Sequence, residues 1–275
     1  MTFRTHTFAS ILAGGLLAVA ALSSCSHQER KNDLEAANLK GRVKQMTELI
    51  NNHVADTLYR EADPTEEQTE YDIMRVLDFH PNGLLKNIRL ITENGTTVLK
   101  YEYDADSLLA GIQCFTDGAL VSYDAYTYDS DGRRATRRLK DPSNNVQVEV
   151  SYRYDKHGNL TEEREKYSQE QMSVVKRYKY DRQGRMIEKT EARNGLDSKI
   201  VEKYVYDDRG EILEMRTEDQ MEQGDPYVIS QRYRYGEPDS LGNWTLRELY
   251  NSVDTMRDRF VLQRWERTIE YYEEE

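Results

Sequence analysis

Six Tyr-x-Tyr pairs recur along this chain at nearly constant spacing: Tyr101/Tyr103, Tyr126/Tyr128, Tyr152/Tyr154, Tyr178/Tyr180, Tyr204/Tyr206 and Tyr233/Tyr235. The second tyrosines lie 25, 26, 26, 26 and 29 residues apart, and Asp follows five of the six pairs. A fixed period in the twenties marks a chain of like units that bury their apolar faces against one another. Within a unit, Val148, Val150, Tyr152 and Tyr154 alternate with polar residues, the period of a strand with one buried face. Asp155 to Gly158 then fits a type I turn whose Gly takes the left-handed conformation of a G1 bulge. The same Asp-x-x-Gly recurs at Asp129/Gly132, Asp181/Gly184 and Asp207/Gly210, with a degenerate copy at His80–Gly83. After Asp104, Ser107 stands where the Gly is expected.

The other end of each unit carries its own turn chemistry, at Asn94-Gly95, Asp117-Gly118 and Asn194-Gly195, with longer connections at 141–145, 168–171 and 218–226. One period therefore holds two antiparallel strands and two turns. The sequence predicts an all-β hairpin meander of about fifteen strands, from about residue 42 to 272, forming a curved or rolled sheet because open sheets much beyond about ten strands twist, curl or split.

If Asp155 and Asn159 flank the turn, Tyr154 faces Leu160 and Tyr152 faces Glu162. Likewise Tyr103 faces Leu109, Tyr180 faces Met186 and Tyr206 faces Ile212. Cross-strand aromatic–aliphatic pairs of this kind stabilise by about 0.2–1 kcal/mol each. The result is a tyrosine stripe, with Glu162, Glu188 and Glu214 beside it as hydroxyl acceptors. Tyr152, Tyr154, Tyr178, Tyr180, Tyr204 and Tyr206, with those three glutamates, form the candidate ligand stripe. It has two readings: the core of the sheet, or an open face on which sugar rings stack.

The flanks are irregular. Residues 8–22 form an apolar run behind Arg4, and Leu22-Ser23-Ser24-Cys25 follows, so 1–24 reads as a signal peptide. Residues 25–41 read as a tether and 42–74 as an N-terminal capping segment in which 42–50 and 53–60 pair as a hairpin. The repeats then occupy 75–242, and 243–275 forms C-terminal capping strands carrying Trp244 and Trp265. Removing 1–24 deletes only Arg4, leaving 37 basic and 50 acidic side chains, a formal charge of −13. Such a surface disfavours nucleic acid and anionic lipid headgroups as partners.

Cys114 has no internal partner once Cys25 is modified, and the histidines lack ligand or dyad spacing. Asp129-Ser130-Asp131-Gly132 lacks the distal ligands of a calcium loop. The sequence thus calls for no cofactor, metal or catalytic residue.

The element Tyr-x-Tyr-Asp-x-x-Gly-(Arg/Asn)-(Leu/Met), seen at Tyr154–Leu160 and Tyr180–Met186, resembles the YD repeats of the Rhs family over roughly residues 75–245. Leu22–Cys25 resembles the lipobox of bacterial lipoproteins. With Leu39–Lys44 near the start and Gly242–Thr245 near the end, the chain is similar to short Rhs-repeat lipoproteins of Bacteroidetes. That resemblance implies a lipidated Cys25, an outer-membrane location on either face, and a link to carbohydrate binding. Large Rhs proteins wind such strips around a toxin; this chain is short and has no downstream toxin domain, so that role is not carried over. The expectation is a non-catalytic envelope lipoprotein whose repetitive β-surface binds a glycan or an envelope protein, or else a structural spacer. Asp56-Thr57-Leu58, Asp106-Ser107-Leu108, Asp239-Ser240-Leu241 and Asp254-Thr255-Met256 also resemble the Bacteroidetes O-glycosylation motif.

Overall fold

A computed structural model describes residues 32–52, 71–169, 172–194, 198–221, 227–251 and 261–273. The expected signal peptide, Cys25 and the tether to residue 31 lie outside the described residues, as does 53–70. A one-turn helix, α1 (Asp33–Ala36), leads into sixteen strands. The first eight are β1 (Val43–Asn51), β2 (Ile73–Phe79), β3 (Leu85–Thr92), β4 (Gly95–Tyr103), β5 (Leu109–Thr116), β6 (Ala119–Tyr128), β7 (Arg134–Lys140) and β8 (Val146–Tyr154). The second eight are β9 (Leu160–Tyr167), β10 (Ser173–Tyr180), β11 (Met186–Arg193), β12 (Ser198–Tyr206), β13 (Ile212–Met221), β14 (Tyr227–Tyr235), β15 (Leu246–Asn251) and β16 (Val261–Tyr271).

Every strand pairs antiparallel with its sequence neighbours, and β1 pairs with β16 from Val43↔Tyr271 to Asn51↔Arg264. The all-β meander is therefore a closed barrel and not the expected curved or rolled sheet. Closure is the one arrangement that leaves a long meander without an unpaired edge. It also corrects the expected 42–50/53–60 hairpin: the two edges of β1 are taken by β16 and β2.

The turns follow their sequence chemistry. Asp155 Oδ1 accepts from the amides of His157 and Asn159, Gly158 N donates to Asp155 O, and Gly158 has φ +85°. The Asp129, Asp181 and Asp207 turns repeat this pattern, with Gly132, Gly184 and Gly210 left-handed. Ser107 is held at φ +59° in the equivalent place. Asp117-Gly118 makes the two-residue hairpin, whereas at the β3–β4 turn the loop is Glu93-Asn94 and Gly95 already pairs with Thr92. Each Asp-x-x-Gly turn places one extra residue in the following strand: Arg153 faces Glu162 and Tyr154 faces Leu160, so Thr161 is skipped.

The inner face has two apolar regions. Leu34 and Leu39 from the entry segment pack with Met46, Leu77, Phe79 and Ile88 near β1–β3. Ile50, Trp244, Leu249 and Trp265 pack beside the seam. Between them, Glu48 on β1 is fully buried, directly opposite Arg75 on β2 and Arg267 on β16. Arg267 Nε donates to Glu48 Oε1 at 2.9 Å and Arg75 Nη2 donates to Oε2. The Arg267 guanidinium lies 3.3 Å from the Trp244 ring centroid, and that of Arg247 lies 4.0 Å from Trp265. Burial pushes the Glu48 carboxyl up, but the charges of Arg75, Arg267 and Arg247 outweigh it and hold the group below its ordinary 4.5.

Removing one member of a buried ion pair leaves an uncompensated charge, so Glu48→Ala is expected to lower unfolding free energy by about 3–5 kcal/mol in urea titrations. Because the folded pKa lies below the unfolded one, the Glu48 contribution is complete above about pH 4.5 and disappears as pH falls through the folded value. Glu48→Gln should therefore flatten the acid limb of the stability–pH curve. At the turns, Gly158→Ala is expected to cost about 1 kcal/mol and Ser107→Gly to stabilise by a smaller amount, because only glycine is unstrained at positive φ.

Candidate functional site

The inner wall from β6 to β13 is polar and lined by the tyrosine repeat. Tyr152, Tyr154, Tyr178, Tyr180, Tyr204 and Tyr206 all project inward, buried or half-buried. The two tyrosines of a pair have different partners. The second donates its hydroxyl to the carbonyl at the start of the strand preceding its own: Tyr128 to Leu109, Tyr154 to Arg134, Tyr206 to Met186 and Tyr235 to Ile212, at 2.6–3.0 Å. For three of them an arginine at the preceding turn, just after its glycine (Arg133, Arg185) or just before it (Arg209), then covers the ring. Arg133 lies 5.3 Å from the Tyr154 centroid, Arg185 lies 5.1 Å from that of Tyr206, and Arg209 lies 5.9 Å from that of Tyr235. Thus these second tyrosines clamp their strands to the ones before.

The first tyrosines sit two residues deeper and meet charged groups. Tyr204 OH donates to Glu202 Oε2 at 2.7 Å, and Lys189 Nζ lies 3.0 Å from the same oxygen. Tyr178 bonds Glu163, and Lys176 and Tyr167 both donate to Glu165. Burial, together with Glu163, raises the Tyr178 phenol. Burial is also the main cause that raises the Glu163 carboxyl, while Lys176 opposes it. Asp124 faces Arg137 at 3.5 Å, and burial likewise raises its carboxyl. Along β9 to β12 the tyrosines, carboxylates and lysines of the inner wall hydrogen-bond one another, whereas Asp124 Oδ1 and Arg137 Nε are buried without a hydrogen bond.

Glu162, Glu188 and Glu214 are not in that chain. The extra residue at each turn shifts the register, so Tyr152 faces Glu163, Tyr178 faces Lys189 and Tyr204 faces Met215. The three glutamates lie on the outer wall instead. Glu162 takes ion pairs from Arg164 (2.6 Å), Arg177 (3.1 Å) and Arg153 (3.6 Å); Glu188 pairs with Lys179 (2.7 Å) and Glu214 with Arg232 (3.6 Å). The hydrogen bond from Arg164 and the surrounding guanidinium charges hold Glu162 below the usual carboxylate range. Sequence reasoning missed Glu163, Glu165, Glu202, Lys176 and Lys189. Counting one residue for the bulge selects Glu163 and Lys189, 26 residues apart, as the residues facing the stripe.

The outer wall continues the same ion pairing. Arg138–Glu149 joins β7 to β8 at 3.0 Å, and Lys203–Glu218 joins β12 to β13 at 3.6 Å. Arg153 and Lys179 are each 69% exposed. From β7 to β16 every strand carries at least one charged side chain at an outward position.

No protein-family model matches the chain, and no curated protein does. Among solved structures, it is similar to a porin-like protein from Bacteroides uniformis ATCC 8492 at 10% identity and a TM-score of 0.51, covering 83% of this chain and 96% of that one. A porin-like protein from Bacteroides vulgatus ATCC 8482 aligns at 12% identity over 85% of this chain and 99% of that one, with a TM-score of 0.40. The TcdB2-TccC3-Cdc42 structure aligns at 15% identity over 66% of this chain and 9% of that one, with a TM-score of 0.32. The first of these likenesses places the chain among closed β-barrel folds.

The two tyrosine roles are separable. Tyr154→Phe strands a half-buried carbonyl and should cost about 1 kcal/mol. Tyr204→Phe removes a donor to a half-buried carboxylate, a charge-assisted bond of about 1.5–3 kcal/mol, so its midpoint in urea should fall further than that of Tyr154→Phe.

Proposed function

We propose that this protein is a non-catalytic, lipid-anchored envelope barrel of the short YD/Rhs-repeat kind, standing in water at the outer membrane and held there by Cys25. The observation that carries this reading is the outer wall. A barrel that spans a bilayer needs an apolar outward band about 25 Å tall, and an outward Arg or Lys at mid-depth costs about 2–4 kcal/mol. Here the outward positions of eight consecutive strands, β7 to β14, carry arginine, lysine or glutamate in lateral ion pairs. Such a wall belongs in water. Membrane attachment then falls to the acyl chains expected on Cys25.

The inward tyrosines, with their hydroxyls committed to carbonyls and carboxylates, weigh against sugar stacking along the stripe. They favour a role as a scaffold that presents its ion-paired exterior to an envelope protein. A glycan held elsewhere on the exterior is the second reading, supported by the YD-repeat resemblance.

Full-length protein extracted from cells should carry acyl groups on Cys25 and enter the detergent phase of a Triton X-114 separation. A Cys25→Ser chain exported behind a cleavable, non-lipoprotein leader should fold and remain in the aqueous phase. Entry of that chain into the detergent phase, or ion conductance by it across planar bilayers, would overturn the reading. Crosslinking in intact envelopes should recover a stoichiometric protein partner with the acylated form.

A further inference from the structure

We propose that the Asp-x-x-Gly rim of the barrel, on its β11–β13 side, is a membrane-contacting surface that rests on the headgroup region of the bilayer. The inference builds on acylation of Cys25, and two independent placements carry it.

The first is the point where the chain enters the barrel. Leu34 N bonds Gly83 O in the β2–β3 turn, and Asp33 accepts from Leu85 N and Tyr103 OH. Further on, Asn38 Nδ2 donates to Glu211 at 2.7 Å, beyond the β12–β13 turn, and Lys40 is bonded to Asn243 and Gly242 beside β15. The entry segment is thus fastened across the Asp-x-x-Gly mouth at three turns. Seven residue steps separate Cys25 from Asn32. Even fully extended they reach at most about 25 Å, so this mouth, and not the opposite one, is the end held close to an anchored Cys25.

The second placement is a local break in the pattern of the outer rim. The residue skipped by each bulge occupies the same outward position in six successive units: Lys86, Ala110, Ala135, Thr161, Ile187 and Leu213. Four are small or polar. The geometry of the bulge therefore does not require a large apolar side chain. Ile187 and Leu213 nonetheless sit there, 37% and 40% exposed, on β11 and β13. Between them on β12 is Val205, 54% exposed and facing outward at the same level. Leu241, 46% exposed, adds to the same mouth from the β14–β15 turn. The remaining exposed large apolar residues at the opposite end, Leu120 and Val121 on β6 and Tyr227 on β14, are on widely separated strands. Grouped aliphatic side chains on an otherwise charged wall, at the end nearest the anchor, suit shallow insertion among lipid headgroups.

The test uses the full-length acylated protein in a Cys114→Ser background, with an environment-sensitive fluorophore on one cysteine at a time. The positions are Ile187→Cys, Leu213→Cys, Ala110→Cys (the same level on the far side) and Leu120→Cys (the opposite rim). The labelled proteins are reconstituted into zwitterionic phosphatidylethanolamine–phosphatidylcholine vesicles containing a headgroup nitroxide quencher. Quenching at 187 and 213, with none at 110 and 120 beyond the quencher-free level, is the expected result. Equal quenching at 110, stronger quenching at 120, or none at any position would overturn it. So would full burial of the 187 and 213 labels in detergent before vesicles are added, which would identify a second copy of the chain as the occupant. Acylation of Cys25 is read separately by mass. Its absence would remove the anchor, whereas an acylated protein without quenching at 187 and 213 would remove only the docking surface.

Discussion

Ring closure hinges on a carboxylate shared across three strands. Glu48 lies opposite Arg75 on one side and Arg267 on the other, and its partner Arg267 is 219 residues away. Backbone ladders alone do not choose a register, because a strand displaced by one residue still makes hydrogen bonds while turning every side chain to the other face. At this seam such a slip would place Glu48 in water and leave two guanidiniums inside without their counter-charge. The penalty for an unpaired buried charge is several kcal/mol, comparable with the stability of a whole domain. Burial and the neighbouring Arg247 and Arg75 push Arg267 down to about 10 against the opposing pull of Glu48, and its guanidinium face lies on the Trp244 ring. The seam is costly to build and correspondingly selective.

Everywhere else the barrel is held by short-range repetition. A second tyrosine reaches back about twenty residues to a carbonyl, an arginine from the preceding turn covers its ring, and the Asp-x-x-Gly turn sets the next strand. A related contact appears where the repeats have ended: Tyr272 OH reaches across β1 to donate to Phe79 O at 2.7 Å, with Arg42 over the Tyr272 ring. The closing strands thus add a tyrosine–carbonyl bond of their own to the buried ion pair.

This division explains what could be read from the residues. The pairs Tyr154/Leu160, Tyr180/Met186, Tyr206/Ile212 and Tyr103/Leu109 were legible because they lie next to the turn, before the extra residue acts. One position further on, the bulge exchanges the faces, and Glu162 gives way to Glu163. The hydroxyl acceptors of the second tyrosines are main-chain carbonyls, which no side-chain pattern marks. Closure was hidden for a related reason: it joins β1 to β16, neither of which carries the repeat, and nothing periodic links residue 48 to residue 267.

Strand number and solvent are set by different features of such a chain. Sixteen strands give a girth at which barrels commonly span membranes, but girth follows from how many hairpins are joined, not from what faces outward. Facing is a matter of parity along each strand. In this barrel the parity that carries tyrosine and aliphatic residues points inward, and the parity that carries Arg153, Arg164, Arg177, Lys179 and Arg232 points out. A one-residue bulge after every Asp-x-x-Gly turn keeps that parity through each unit, so the residue that confounds a simple reading of the stripe also keeps the charged side chains on the outer wall. Under the proposed function, lipid affinity is left to elements outside the repeat grammar: acyl chains on Cys25, and the few bulge positions, Ile187 and Leu213, that hold an aliphatic residue where the other units hold a small or polar one.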